Sequence, residues 1–266
     1  MATDTVDEPS IDGLLADPRR RVALQSVHNC RDLGGYPVPG GLATRWGMLY
    51  RADGFHRMSP EDIEVVRSLG LRTVVDLRTQ GEIDERGCFP HDRIDVDYVH
   101  HPVLDRTWDA AEMLGDRTDH EFLVHAYTLM LAEGAANFAG AITRLAEPGA
   151  LPAVFHCAAG KDRTGILAAL MLGALGVPRA VVLGDYGLTG DAIVRMRAWV
   201  LREFPDMAEQ FATTPSAFLA ALPDALGEVL DAVVAEHGTI RGYVESIGVA
   251  PEAIDALAAA LLHPVG

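Results

Sequence analysis

The sequence has few cysteines and fewer basic than acidic side chains. Its cysteines, Cys30, Cys88 and Cys157, are too sparse and odd in number for a disulfide framework, which is typical of a reducing compartment. The 22 basic residues against 38 acidic ones give a formal net charge of −16. Nucleic acids and anionic membranes attract clustered Lys and Arg, so this charge argues against both as partners.

Long apolar runs and clusters of metal ligands are also missing from the sequence. The longest apolar segment, around residues 166–177, is too short to span a bilayer, and no His/Cys group has zinc spacing. The N-terminus lacks the basic stretch and apolar core of a signal peptide. We therefore expect a cytoplasmic protein with no stable membrane insertion, no metal and no cofactor. Non-classical secretion would leave no signal in the sequence.

Short apolar or β-branched runs alternate with helical patterns along the chain. They predict strands at 42–51, 72–78, 94–99 and 153–155 and a capped helix from Pro60 to Leu69. Strands separated by helices indicate an α/β fold, with a mostly parallel central sheet flanked by helices. Ligands of such sheets bind at the carboxyl ends of the strands. Three charged segments, 76–78, 100–105 and 156–163, are expected to meet at that edge.

The segment 156–165 reads His-Cys-Ala-Ala-Gly-Lys-Asp-Arg-Thr-Gly and lies between a predicted strand and a predicted helix. Such a loop leaves successive backbone N–H groups free to form an anion-binding nest, and the helix directs its positive end at the same point. A thiol in that position ionises easily. One loop therefore offers a nucleophile, Cys157, together with a phosphate cradle.

This segment resembles the signature loop of the cysteine-based protein tyrosine phosphatase superfamily. Its Lys-Asp-Arg ending is similar to the atypical bacterial tyrosine/serine phosphatases, some of which accept phosphoinositides. Further matching segments are 29–35, 49–53, 76–79 with Glu82, and 238–243, so the likeness runs from about residue 22 onward. The resemblance implies a protein tyrosine phosphatase-like fold with extra helical lid elements. We expect a flexible arm at 1–20 and one phosphatase domain at 21–266, with cap segments near 106–135 and 190–222.

The resemblance implies roles for three loop residues. Cys157 would attack phosphorus to form a phosphocysteine, and Arg163 would bind the phosphoryl oxygens with its planar fork. No Trp-Pro-Asp triplet is present, so Asp162 is the preferred general acid, with Asp76 and Asp105 as competitors. Repulsion from a bound phosphate favours the protonated carboxyl. The structural alternatives are a buried cysteine and a helix-capping aspartate.

Other residues are expected to bind substrate or to support the loop. The predicted substrate-binding residues are Ala158, Ala159, Gly160, Lys161 and Thr164, and the predicted supporting residues are His156, Asp76, Arg78, Asp32 and Arg51. Lys161 contacts phosphate or is solvated, and Thr164 donates to the thiolate or caps the helix. Arg78 pairs with Glu82 or Asp76. Phe211 and Phe218 would shield the cysteine from oxidants.

The predicted function is a cysteine-dependent phosphoric monoester hydrolase, a protein-tyrosine phosphatase with possible dual specificity. Its expected partners are a phosphorylated protein or a phosphoinositide, and inorganic phosphate. The alternatives are a phosphoinositide phosphatase, a catalytically silent phosphate-binding module, and a rhodanese-like sulfur transferase, whose loops lack the run from Gly160 to Gly165.

Overall fold

A five-stranded sheet forms the centre of the protein in a computed structural model that describes residues 10–106, 113–207 and 214–265. The strands are β1 (Arg31–Asp32), β2 (Pro37–Val38), β3 (Leu42–Thr44), β4 (Leu49–Ala52), β5 (Thr73–Asp76), β6 (Asp97–His100), β7 (Ala153–His156) and β8 (Leu262–Pro264). The central order is β1-β4-β7-β5-β6, with β1 antiparallel and the other neighbours parallel. This confirms the predicted α/β class.

Helices cover the sheet. They are α1 (Ile11–Leu15), α2 (Pro60–Ser68), α3 (Gln80–Arg86), α4 (Asp119–Glu133), α5 (Ala135–Ala146), α6 (Asp162–Ala174), α7 (Arg179–Gly187), α8 (Thr189–Glu203), α9 (Ser216–Leu219), α10 (Pro223–His237), α11 (Ile240–Ser246) and α12 (Pro251–Leu261). Helix α6 follows the central strand β7, and its residues 164–172 are all buried. A helix that is apolar on every side is stable only inside the core. Within the described ranges, no helix is long and apolar enough to cross a bilayer.

Helix α2 begins where the sequence predicts it. The Ser59 side chain accepts a hydrogen bond from the Asp62 amide, and the Asp62 carboxylate accepts one from the Ser59 amide. Pro60 occupies the first turn, where its missing N–H costs nothing. This capping box fixes the helix start from local sequence alone.

The single strand predicted at 42–51 is wrong, because the segment forms two strands in different sheets. Gly47 has a φ of +75° and turns the chain between β3 and β4. The Asp32 carboxylate accepts hydrogen bonds from the Gly47 and Gly34 amides at 2.6 and 2.8 Å. Strand β3 then joins β2 and β8 in a separate antiparallel sheet. Asp32 therefore supports this turn.

Residues 10–20, within the segment predicted as a flexible arm, contact the body of the fold through Arg20. Arg20 is 2% exposed, and its guanidinium donates to the carbonyls of Leu14, Asp32 and Gly34. It also lies 3.9 Å from the ring centroid of Tyr36. Arg20 thus joins the end of α1 to the body of the fold.

The carboxyl ends of four parallel strands lie in one row. Ala52 of β4 pairs with His156 of β7, which pairs with Asp76 of β5, which pairs with His100 of β6. The predicted meeting of the charged segments at one sheet edge is therefore confirmed.

Candidate active site

The signature loop, residues 157–161, connects β7 to α6, and its carbonyl groups are held from outside. The Ala158 carbonyl accepts a hydrogen bond from the Gly54 amide at 3.1 Å. The Asn29 side-chain amide donates to the carbonyls of Ala159 and Gly160 at 2.9 and 3.0 Å. The Arg51 guanidinium also donates to the Gly160 carbonyl, at 2.8 Å. Three consecutive carbonyls are thus turned away from the centre of the loop.

The opposite side of each peptide plane carries an N–H group. In a trans peptide the carbonyl and the following N–H point in opposite directions, so the amides of Ala159, Gly160 and Lys161 face the interior of the loop. Gly160 has a φ of +64°, and an added Cβ would lie 2.5 Å from the Ala52 carbonyl oxygen. Only glycine fits there. The amides and the N-terminus of α6 together form an anion-binding nest.

Cys157 lies at the start of this nest and is 2% exposed. The neighbouring His156 is fully buried, with its Nδ1 atom 3.3 Å from the Cys157 carbonyl oxygen. Burial holds the pKa of His156 below its ordinary value. The buried Thr164 hydroxyl has no hydrogen-bond partner among the described residues, the Cys157 thiol included. Its donation to the thiolate stays a prediction.

The Arg163 guanidinium is oriented by Glu82 of α3. Its two terminal nitrogens donate to the two carboxylate oxygens at 2.5 and 2.9 Å. Burial alone would lower the pKa of Arg163, but Glu82 and the nearby Cys157 raise it above its ordinary value. Burial also opposes ionisation of Glu82, yet the hydrogen bonds from Arg163 lower the pKa of that carboxyl to about 2. A bidentate pair of this kind fixes the plane of the guanidinium.

Asp76 and Arg78 form a fully buried ion pair beside the loop. The Arg78 guanidinium donates to both oxygens of Asp76, which also accept from the Tyr98 hydroxyl at 2.8 Å. Burial would raise the pKa of Asp76, but His156 and Arg78 hold it well below its ordinary value. Of the two predicted partners for Arg78, Asp76 is the one observed. A carboxylate held in its charged form is a poor proton donor, which weakens Asp76 as the general acid.

Asp162 is the first residue of α6 and keeps 30% of its side chain exposed. The Tyr127 hydroxyl of α4 donates to its Oδ1 atom at 2.7 Å and lies 2.5 Å from the Tyr186 hydroxyl. The Lys161 ammonium is 3.4 Å from the same oxygen. Asp162 is therefore the carboxyl of the loop that combines solvent access with a fixed orientation.

Lys161 is the only lysine in the sequence and is 1% exposed. Its ammonium donates to the carbonyls of Ala217, Phe218 and Ala220 at 2.9, 3.0 and 3.0 Å. These three bonds commit all three ammonium protons. The side chain thus fastens the 216–220 segment to the loop, a task different from the predicted phosphate contact.

Asp185 connects the loop supports to α7. Its carboxylate accepts from Arg31 at 3.0 Å, from Arg51 at 2.6 Å and from the Tyr36 hydroxyl at 2.8 Å. Arg31 also donates to the Asn29 side-chain oxygen. The two residues that hold the loop carbonyls, Arg51 and Asn29, are therefore both anchored through Asp185. Arg51 thus contacts the loop, and its role in loop support stays a prediction.

Sequence reasoning missed the roles of several residues that the structure places here. They are Asn29, Glu82, Tyr127 and Asp185. Asn29 and Glu82 lie in segments already noted for their resemblance, which was the available signal. Tyr127 carries no local signal, since it follows ordinary helical spacing.

Three predicted residues remain, Asp105, Phe218 and Phe211. Asp105 is exposed and borders a separate cleft with Arg106 and Glu133. The Phe218 ring packs on Phe122, with centroids 4.9 Å apart. Phe211 is not among the described residues. Within those residues, no group of three or more His, Cys, Asp or Glu side chains is placed to hold a metal ion.

A cysteine in an anion-binding loop at this sheet edge is the arrangement expected of a cysteine-dependent phosphatase. A family model described as "Tyrosine phosphatase family" matches residues 22–263. The chain therefore belongs to the tyrosine phosphatase family, which confirms the resemblance and the enzyme class predicted from the sequence.

Curated relatives agree with this assignment. The chain is 35% identical to a "Putative tyrosine-protein phosphatase" of Cupriavidus necator over 63% of its length and 62% of that protein, slightly less than two thirds. It is 24% identical to the "Triple specificity protein phosphatase PtpB" of Mycobacterium tuberculosis, over 90% of this chain and 98% of that protein. It is also 29% identical to a "Tyrosine-protein phosphatase" of Nostoc commune, over 76% of this chain and 69% of that protein.

Solved structures of P. aeruginosa TpbA are more distant. One is 19% identical with a TM-score of 0.30 and covers 63% of this chain and 88% of that chain. A complex of TpbA with pTyr is 17% identical with a TM-score of 0.31, over 70% of this chain and 90% of that chain.

Proposed function

We propose that this protein hydrolyses phosphotyrosine in proteins through a phosphocysteine on Cys157. The observation that supports this most is the outward anchoring of the carbonyls of Ala158, Ala159 and Gly160. It leaves three inward amides above the cysteine, where they can bind the oxygens of a phosphoryl group. Phosphoserine, phosphothreonine and phosphoinositide esters are the other candidate substrates that the resemblance implies.

In the first step, the Cys157 thiolate attacks phosphorus, an S–P bond forms and the bond from phosphorus to the tyrosyl oxygen breaks. The leaving oxygen takes a proton from Asp162. The inward amides and Arg163 bind the phosphoryl oxygens, whose charge is spread over them in the transition state. Glu82 keeps the plane of the Arg163 guanidinium fixed, so little reorganisation is needed.

In the second step, water attacks the phosphocysteine and gives a proton to the Asp162 carboxylate. The S–P bond breaks, the thiolate leaves, and inorganic phosphate is released. The position of Asp162 directly after the loop and its partial exposure support its role in both proton transfers. The cycle returns the thiolate and the protonated acid, so atoms and charge balance without a metal or other cofactor.

The phosphocysteine mechanism is tested by Cys157→Ser and Arg163→Ala. Serine keeps the size of the side chain but is not ionised at neutral pH, and alanine removes the guanidinium fork. We expect each variant to lose at least about 10³-fold in kcat on p-nitrophenyl phosphate, since such residues act as a unit with the rest of the site. A phosphocysteine trapped from wild-type protein by acid quenching and found by mass spectrometry supports the mechanism. Turnover close to wild type in either variant contradicts it.

A further inference from the structure

A cleft of about 430 Å³ opens directly beside the signature loop. Ala158 and Ala159 form one side of it, and Met196, Trp199 and Val200 of α8 form an apolar wall. The cleft therefore borders the first part of the signature loop, next to Cys157 in the chain. Parts of a substrate next to the phosphate would enter it.

Two arginines, Arg57 and Arg86, line the same cleft from different elements. Arg57 follows β4 and lies with its guanidinium carbon 4.7 Å from the ring centroid of Phe204. Stacking on an aromatic ring restrains the plane of a guanidinium while leaving its N–H groups at the edge. Within the described ranges, Arg57 forms no ion pair or side-chain hydrogen bond. No acceptor in those ranges takes up its donors, which can bind an external acceptor.

Arg86 ends α3, the helix that also carries Glu82. It is exposed, and its Nε atom is 3.8 Å from Glu85, which is longer than a hydrogen bond. Both arginines are thus short of acceptors in a protein whose net charge is −16. An acidic protein thus carries two weakly paired cations beside its anion-binding loop.

Two carboxylates, Glu85 and Asp53, share the cleft with the two guanidiniums. Glu85 is exposed beside Arg86, and the Asp53 carboxylate is 3% exposed and accepts hydrogen bonds from the amides of His28 and Asn29. His56 also lines the cleft. Burial lowers the pKa of His56 to about 4, and Arg78, Arg57 and Arg86 add to that effect. The imidazole is therefore neutral at pH 7 and adds no charge to the cleft.

We propose that Arg57 and Arg86 form a subsite for an acidic side chain next to the phosphotyrosine of a peptide substrate. The proposal rests on the proposed function, because the phosphotyrosine itself must occupy the signature loop. Arginine forks bind carboxylates in bidentate geometry, and the wall around Trp199 contacts the apolar part of the same peptide.

The chemistry of the whole molecule favours a peptide over a lipid headgroup at this subsite. A membrane that contains phosphoinositides is anionic and repels a protein of charge −16. The attraction of two arginines to the membrane is too short in range to overcome that repulsion. A peptide brings its acidic side chain without that surface. The test must therefore distinguish recognition of a phosphoinositide headgroup from recognition of an acidic peptide.

The test compares two phosphotyrosyl peptides that differ only in acidic or alanine residues flanking the phosphotyrosine. We expect wild-type protein to prefer the acidic peptide by about tenfold in kcat/KM, mostly through KM. The ratio falls to about one in the Arg57→Gln/Arg86→Gln variant. In Arg57→Glu/Arg86→Glu, a peptide with flanking lysines becomes the better substrate. Both residues are exposed, so these changes leave the core intact.

Arg72→Gln is the matched control, since Arg72 is an exposed arginine at the amino end of β5, opposite to the loop. It should keep the wild-type preference. If wild-type protein hydrolyses p-nitrophenyl phosphate normally but has equal kcat/KM for the two peptides, the subsite proposal is wrong and the proposed function stands. No hydrolysis of p-nitrophenyl phosphate sinks the proposed function itself. If the arginine variants lose turnover of phosphatidylinositol bisphosphate vesicles but keep their preference for the acidic peptide, the occupant is a headgroup and the proposal is wrong.

Discussion

Arg163, a single residue, takes its orientation from one carboxylate. Glu82 accepts from both terminal nitrogens of the guanidinium and, through the same side chain, from the Thr79 amide at 2.9 Å. The Thr79 side chain accepts in return from the Glu82 amide at 3.2 Å, as in a capping box. The start of α3 therefore fixes the carboxylate, and the carboxylate fixes the arginine.

Glu82→Gln is expected to lower kcat/KM on p-nitrophenyl phosphate by about 10²-fold. Glutamine offers one acceptor and a competing amide donor, so the bidentate pair is lost and the guanidinium is misplaced relative to the phosphoryl oxygens. Steady-state kinetics measures the effect. Asp84→Asn is the control on the same helix, since Asp84 is exposed and, in the part of the chain that the structure describes, bonds only to Gln80. A rate for Glu82→Gln within about twofold of wild type would show that Arg163 needs no such support.

Asp162→Asn should affect substrates according to their leaving groups. An aryl phosphate whose phenol is very acidic leaves without a proton, whereas one with an ordinary phenol needs the acid. We expect kcat to fall by about 10²-fold for the poor leaving group and by much less for the good one. A series of substituted phenyl phosphates gives the dependence on the pKa of the leaving phenol. Equal losses across the series would place the acid elsewhere.

The sequence predicts some residues of the site and leaves others open. Cys157 and Arg163 are defined by the spacing within one loop, because the loop itself imposes their geometry. The partner of Arg163 is 81 positions away in the chain, and no local pattern tells which acidic residue reaches it. Lys161 lies in the loop as predicted, but its ammonium binds backbone carbonyls instead of the predicted phosphate. Backbone carbonyls are present at every residue, so the sequence does not indicate which of them Lys161 binds.

Among the elements, the 216–220 segment is attached to the loop through a single side chain. Helix α9 and the residue after it present three carbonyls to Lys161, and Ser216 donates to Asp119 of α4 at 2.9 Å. We propose that this segment is part of the cap predicted around residues 190–222. A charged group that satisfies three carbonyls contributes strongly to holding such an element.

Chemical modification of lysine measures how firmly this segment is docked. With the ammonium buried and its protons committed, reductive methylation of the folded protein should spare Lys161 and should modify it fully in guanidinium chloride. Mass spectrometry of peptides reports the extent at each amine. Arg72→Lys provides an exposed lysine as an internal standard of reactivity. If Lys161 reacts in the native protein as fast as that standard, the segment is not held as described.

Elements built from local patterns are predicted well, and those built from distant pairing are not. The α2 capping box and the buried helix α6 follow from consecutive residues. The sheet of β2, β3 and β8 depends on residues 262–264 returning to pair with residues 42–44, which no local pattern indicates. The convergence of β5, β6 and β7 was predictable because parallel strands end at the same edge.

At the scale of the whole molecule, Asp185 joins parts that are far apart in the chain. It binds Arg31 of β1, Arg51 of β4 and the Tyr36 hydroxyl, and through the two arginines it reaches the signature loop. All of these side chains are buried. A buried carboxylate between two guanidiniums is costly to break, because removal of one partner leaves uncompensated charge.

The pH dependence of stability should reflect this arrangement. Burial would raise the pKa of the Asp185 carboxyl, but Arg31 and Arg51 hold it below its ordinary value. A carboxyl whose pKa is lower in the folded than in the unfolded chain adds stability above the unfolded value, about 3.9, and loses it as the pH falls through the folded one. Asp185 therefore stabilises the fold fully at pH 7. Below about pH 4 its contribution declines by about 1.4 kcal/mol per pH unit.

Asp185→Asn is accordingly expected to lower the free energy of unfolding by about 3–5 kcal/mol at pH 7, and by less as the pH falls below about 4. Urea unfolding followed by circular dichroism at several pH values gives the difference from wild type. Asp231→Asn is the matched control, because Asp231 binds Arg179 through two contacts of 2.7 Å but is 61% exposed. An exposed pair contributes at most about 1 kcal/mol. If the two variants lower the free energy of unfolding equally at pH 7, the buried Asp185 contacts are no stronger than an exposed ion pair. In that case Asp185 is not what joins the loop supports to α7.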